Sequence, residues 1–374
     1  MSDFKEAFIM VSTCEVIKNN GIIQYISKDG TLYATEDHLV WESRAGGQTW
    51  ENICQLAPNS NTLIGILKDH FLRSPLVRKL RKNIGINNLV QLTTGTIIAQ
   101  YDKIYRWEPG IDGLYAQPVY NLEANGISGP LKNGMCHDPS TDFVYFGEYN
   151  IKRPNAIRIL KGYNDGREWD ICYEFPRGQI RHVHGIYCDS FRKRLWICTG
   201  DNDSESGLYY TDDDFQTVKL FAGGDQSWRM VSLLITPDRL IWGTDAGQDA
   251  EAHIKNYIYV LDMNSGKREK VCCIDKPAYY SVFSEDGSMF IGTTFEPKIK
   301  RDVTPTADIW FSKDGYNWNI LGSFQYKYAG RKYGTKYATI ILPANCNLKE
   351  TLIFSLLNTE SYDFGLVKYE IPNK

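Results

Sequence analysis

An all-β chain folded as a β-propeller is predicted by three observations. A turn pattern recurs about every fifty residues, short apolar strands precede each turn, and aromatic and glycine residues are abundant. Aromatics reach 13%, with 24 Tyr and 9 Trp, and 31 Gly punctuate the apolar runs. Aromatic and branched side chains suit a pleated surface, and glycine suits the turns between strands. The 374 residues read as one domain, because a repeat turns length into copies of one unit.

The turns come first. Ser43 to Trp50 and Gly162 to Trp169 share small and glycine residues leading to a Trp, and Ser312 to Trp318 repeats the layout one residue shorter. Thr211 to Val218 and Asp262 to Lys267 are weaker copies, the former without the Gly or the Trp. The starts at 162, 211, 262 and 312 lie 49, 51 and 50 residues apart. Ser, Thr and Asp side chains hydrogen-bond the turn backbone, Gly supplies a positive φ, and Trp packs back under the sheet.

Each turn follows an apolar strand such as Ile157–Leu160, Leu208–Tyr210 or Ile309–Phe311. A second strand type, apolar and then Gly and a polar group, recurs at Phe143–Glu148, Leu195–Asp201, Leu240–Asp245 and Met289–Thr294. The expected blades span 21–57, 85–122, 133–176, 181–223, 229–275, 278–324 and 336–372. Seven is the count, with six or eight left open. The last blade lacks a fourth strand, which Ala7–Ser12 at the N-terminus is expected to supply, removing the exposed sheet edge.

A short helical insert around 63–83 interrupts the pattern, with Ser74 and Pro75 opening a second piece. Arg73, Arg78, Lys79, Arg81 and Lys82 give 73–82 a basic face. That face reads either as solvated or as a peripheral contact with an anionic membrane.

Net charge is −3, so no global field draws the chain to nucleic acid. There is no Gly-rich phosphate loop and no GxSxG. The nine cysteines are scattered through apolar strands without a CxxC pair, which reads as reduced thiols in a cytoplasmic protein. Residues 1–20 carry no secretory pattern. No cofactor is called for, and no compact His/Cys spacing demands a metal, although His182, His184 and Gln226 could hold one.

Candidate chemistry centres on Arg181, His182 and His184. Alternation puts both imidazoles on one side of a strand, where they can share a proton, a metal or an anion. In a propeller, the loops entering inner strands and leaving second strands gather at one end. Those loops carry Arg181, Arg229, Gln226 and Trp228 as candidate binding residues. They also carry Glu148, Tyr149, His182, His184, Asp201 and Asp245 as candidate catalytic groups. Arginines pair carboxylates bidentately and aromatic faces stack on sugar rings, so an acidic saccharide suits the set.

The repeated turns resemble the Asp-box, or BNR repeat, of the sialidase-like propeller superfamily. A closer likeness is to uncharacterised Asp-box proteins encoded beside bacterial surface-polysaccharide enzymes, carried by Phe146–Glu148, Arg181–Gly185, Thr199–Asp201, Asp225–Arg229 and Trp242–Asp245. The resemblance implies an arginine triad, a Tyr/Glu nucleophile pair and an Asp acting as the acid. Glu148 with Tyr149, Arg181, Arg229 and Asp201 or Asp245 offer those residue types. Two functions are expected from this reading. One is a glycoside hydrolase or polysaccharide lyase acting on an acidic glycan. The other is a non-catalytic propeller that binds a glycan or a partner protein of polysaccharide assembly.

Overall fold

The computed structural model of the chain describes residues 14–58, 62–74, 76–77, 84–150, 156–328 and 335–371. Its strands pair as successive four-stranded antiparallel meanders over 22–56, 88–120, 135–175, 182–223, 234–273 and 278–325. A further meander combines Ala338–Ile341, Thr351–Leu357 and Gly365–Glu370 with Glu15–Asn19. That makes six plus one, seven four-stranded sheets among the described residues.

The apolar faces explain the arrangement. Each buried cluster spans neighbouring sheets. Tyr145, Ile159 and Phe175 of the third sheet meet Ile186, Ile197 and Tyr209 of the fourth. Trp196 and Leu208 of the fourth then meet Trp228, Trp242 and Tyr259 of the fifth. Ile23 and Ala34 of the first sheet meet Ile353 and Leu366 of the seventh, so packing closes the ring. A sheet buried on both faces must alternate apolar side chains to either side. The strand Thr351–Leu357 is accordingly buried at every residue.

Ring closure uses Glu15–Asn19, which runs antiparallel to Gly365–Glu370. The expected closing segment, Ala7–Ser12, lies outside the described residues. The indole N–H of Trp50 donates to Gly47 O at 3.0 Å and to Ile17 O at 2.8 Å, tying the closing strand to the first repeated turn. Trp169 and Trp318 donate likewise to Gly166 O and Gly315 O, at 3.0 and 2.8 Å. In the copy without Gly and Trp, Phe215 takes the left-handed backbone at φ 66° and is buried.

Leu63–Leu72 is helical. Its Leu63, Ile64, Leu67 and Phe71 side chains are exposed. Arg73 does not stand free on a basic face, because its guanidinium donates to Leu56 O and Ala57 O. Residues 78–82 of that expected face lie outside the described residues. Among the described residues no helix is long and apolar enough to cross a membrane.

Candidate functional site

Inner strands begin, and second strands end, at the same end of every antiparallel meander. His182 pairs with Gly200 across the first two strands of the fourth sheet, so Arg181 and His182 face Asp201. The ladder slips between Val183 and Gly185, leaving His184 as the extra residue of a bulge. Bulges re-aim side chains, and here the two imidazoles converge. Gly200 is needed for this. A Cβ there would lie 2.5 Å from His184 Cε1, so only glycine leaves room for the ring.

Nε2 of His182 lies 3.1 Å from Nε2 of His184, and each lies 3.2 Å from Asp201 Oδ1. His184 Nδ1 donates to Met230 O at 2.9 Å. The other Asp201 oxygen, Oδ2, accepts from Arg181 Nη1 at 2.7 Å. Both imidazoles are almost fully buried, with 1% of each side chain exposed. The Tyr149 ring lies over His182 with centroids 4.1 Å apart.

Arg229 joins this group to the fifth sheet. It contacts Asp201 Oδ1 at 3.4 Å, Asp245 Oδ2 at 3.5 Å and Asp249 at 3.0 Å. Beyond it, Glu296 accepts from the Tyr279 hydroxyl at 2.6 Å and from Gln248 N at 2.7 Å. The expected Arg181, Arg229, His182, His184, Asp201, Asp245 and Tyr149 therefore belong to one connected cluster.

The protonation states diverge within it. Burial opposes ionisation of Asp201. Hydrogen bonds from His182 and His184, then the His184 and Arg229 charges, nevertheless hold its carboxyl well below the ordinary range. Burial pushes Asp245 up to about 7, because Arg229 offsets only part of the lost hydration. Burial also lowers the affinity of His182 for a proton and raises the Tyr149 phenol.

Three expected site residues are occupied elsewhere. Glu148 is fully buried, and its carboxylate accepts from Arg158 Nε and N at 2.8 and 2.9 Å and from Ser128 N at 2.7 Å. With both oxygens held, it braces the third sheet and has no lone pair directed to a reaction. Trp228 is a core residue. It stacks on Trp242 with centroids 5.2 Å apart and lies under Arg268. Gln226 turns its amide to Asp201 O and Asp203 Oδ1, at 2.9 and 2.8 Å, so it orients the Asp201 backbone.

Asp249, Glu296 and Tyr279 join the cluster as well, placed at this end of the ring by the same loop rule but assigned no role from the sequence. Their signal was position, since Glu296 follows a second strand and Tyr279 opens an inner one, as Asp201 and His182 do. At the other end of the ring lies a cavity of about 810 Å³. It is lined by Tyr25, Gln91, Cys136, Tyr187, Leu234 and Val282 of six inner strands and by the loop 344–346 of the seventh sheet.

The fold is that of β-propeller proteins. Oligogalacturonate lyase from Vibrio parahaemolyticus superposes with a TM-score of 0.57 at 10% identity, over 96% of this chain and 91% of that one. The GH74 xyloglucanase from Xanthomonas campestris gives 0.55 at 12% identity, and the GH74 enzyme of Niastella koreensis 0.54 at 12%. Each of these GH74 matches covers 82% of this chain, which spans only 46% of the GH74 enzyme's length. At such identities the likeness defines architecture alone. No protein-family model matches the chain, and neither does any curated protein.

Proposed function

We propose that the protein cleaves an acidic glycan at the Arg181–Arg229–Asp245 end of its ring, within bacterial surface-polysaccharide metabolism. The observation that carries the reading is the pair Asp201 and Asp245, joined through Arg229, with one carboxyl held ionised and the other protonated near neutrality. Environments that push two carboxyls apart create an acid and its counterpart. Asp245 is the proton donor to the leaving glycosidic oxygen in this scheme. Arg181 and Arg229 orient the acidic group of the sugar, and Tyr149 offers a ring face at the same end.

Hydrolysis and elimination need different bases. Asp201 has Oδ2 on Arg181 and Oδ1 facing two imidazoles, so activating water would first require it to shed those partners. His182, kept neutral by burial, is the base that elimination from a uronate requires. Elimination is therefore the preferred route. Carbohydrate-active neighbours of the same fold agree with cleavage of either type.

The second reading is a propeller that binds a glycan or a partner protein without chemistry. It is favoured by the saturation of Arg229, whose guanidinium already faces three carboxylates. Nine free thiols support a reducing, cytoplasmic setting. Peripheral membrane contact through the helical insert draws its support from the exposed Leu63, Ile64, Leu67 and Phe71.

The test is incubation with uronate-containing and neutral polysaccharides, following both unsaturated product and new reducing ends. Absorbing unsaturated ends with wild type, slowed at least about 100-fold in Asp245→Asn, support elimination. Reducing ends without unsaturation support hydrolysis. Binding without either product supports the second reading.

A further inference from the structure

We propose that His182, His184 and Asp201 bind one first-row divalent cation of the manganese, iron or zinc type. The geometry is a near-equilateral triangle of donor atoms, with edges of 3.1, 3.2 and 3.2 Å. Three ligands at mutual right angles, each about 2.2 Å from a metal, stand about 3.1 Å apart. The triangle thus matches one face of an octahedron.

Proton counting supports a cation over a simple hydrogen-bond network. His184 Nδ1 donates to Met230 O, so its Nε2 can donate to Asp201 only from an imidazolium and in the neutral ring presents a lone pair. That lone pair faces a carboxylate oxygen at 3.2 Å. A proton on His182 Nε2 can point to only one of its two neighbours. At least one acceptor is left against another, at a site that excludes water from the imidazoles. A cation at the centre turns all three contacts into bonds.

The surroundings have the form of an outer coordination shell. Met230 O fixes the tautomer and orientation of His184, and Arg181 holds the Asp201 oxygen that faces away from the triangle. Two imidazoles select a borderline first-row ion over the hard magnesium or calcium ions. Gln226, the third donor expected from the sequence, has its amide nitrogen on Asp201 O and Asp203 and its Oε1 3.5 Å from Arg229 Nη1.

The full-length protein is stripped with EDTA, desalted and titrated calorimetrically with manganese, zinc and magnesium separately. The expected result is one equivalent of manganese or zinc per chain, accompanied by a higher melting temperature, and weaker binding of magnesium. His184→Gln and Asp201→Asn are expected to weaken binding by more than about 100-fold. No stoichiometric binding, equal affinity for magnesium, or unchanged affinity in both variants overturns the assignment. Should a variant fail to fold, cobalt-loaded wild type decides. Hyperfine-shifted proton resonances from two imidazoles support the site, and their absence overturns it. The readout is bound metal and not product, so failure of this inference and failure of the proposed cleavage are distinguishable, although a cation on His182 Nε2 would take up the lone pair that elimination asks of that ring.

Discussion

Lys132 shows how one side chain couples this fold to pH. Its ammonium is buried between sheets and donates to two neutral acceptors, Gln24 Oε1 at 2.7 Å and Asn87 O at 3.0 Å. Burial lowers its pKa from 10.5 to about 7. The unfolded chain therefore holds the proton between those values while the folded chain releases it, and stability rises with pH across that window. The slope approaches about 1.4 kcal/mol per pH unit. Lys132→Met is expected to abolish that slope in denaturant melts between pH 7 and 10; an unchanged slope would assign it to other groups. The same residue marks a limit of sequence reading. Lys132 lies between two turns with no motif around it, and its burial depends on strands over 40 residues away. The gathering of Arg181, His182, His184, Asp201 and Asp245 was legible because the loop rule of the fold already brought them to the same end, although the sequence offered Gln226 and not Asp201 beside the two imidazoles. Glu148 was not, because its partner Arg158 sits in an ordinary strand position with nothing local to flag it.

Among the elements, the repeated turns have unequal jobs. All three indoles close their own turn, but only Trp50 also reaches the closing strand, at Ile17 O. Trp50→Phe deletes both hydrogen bonds and leaves a smaller aromatic ring. A loss of about 1–2 kcal/mol follows, with faster amide exchange in Glu15–Asn19 and Gly365–Glu370. Trp318→Phe is the control, removing a turn bond without touching closure. Equal exchange in the two variants would deny the first turn any special role. The period of the turns was plain in the sequence because it rests on local Gly, Asp and Trp chemistry. The turn at Thr211 was harder to read, since Phe215 fulfils the glycine's backbone role and packs its ring against Tyr145 at 5.4 Å. The closing strand was misplaced by several residues, because the segment 7–12 is more apolar than Glu15–Asn19, whose outer position tolerates Glu15 and Lys18.

For the whole molecule, the seven sheets form a ring whose join is non-covalent. Deleting residues 1–19 is expected to bare the edge of Gly365–Glu370, lower the melting temperature and produce concentration-dependent association in light scattering. Retention of both the wild-type melting temperature and the wild-type mass would show that the seventh sheet needs only three strands.

The pairing of Asn19 with Gly365 also has a meaning in time. These residues are 365 − 19 = 346 positions apart in the chain. At the ribosome's pace of about 5–20 residues per second, the earlier strand waits on the order of tens of seconds for its partner to be made. During that interval the nascent propeller is an open arc, with the apolar face around Ile23 and Ala34 uncovered and the strand Glu15–Asn19 unpaired. A chaperone that shields such surfaces would act on this protein before the final sheet emerges and lose that hold once Ile353 and Leu366 cover them.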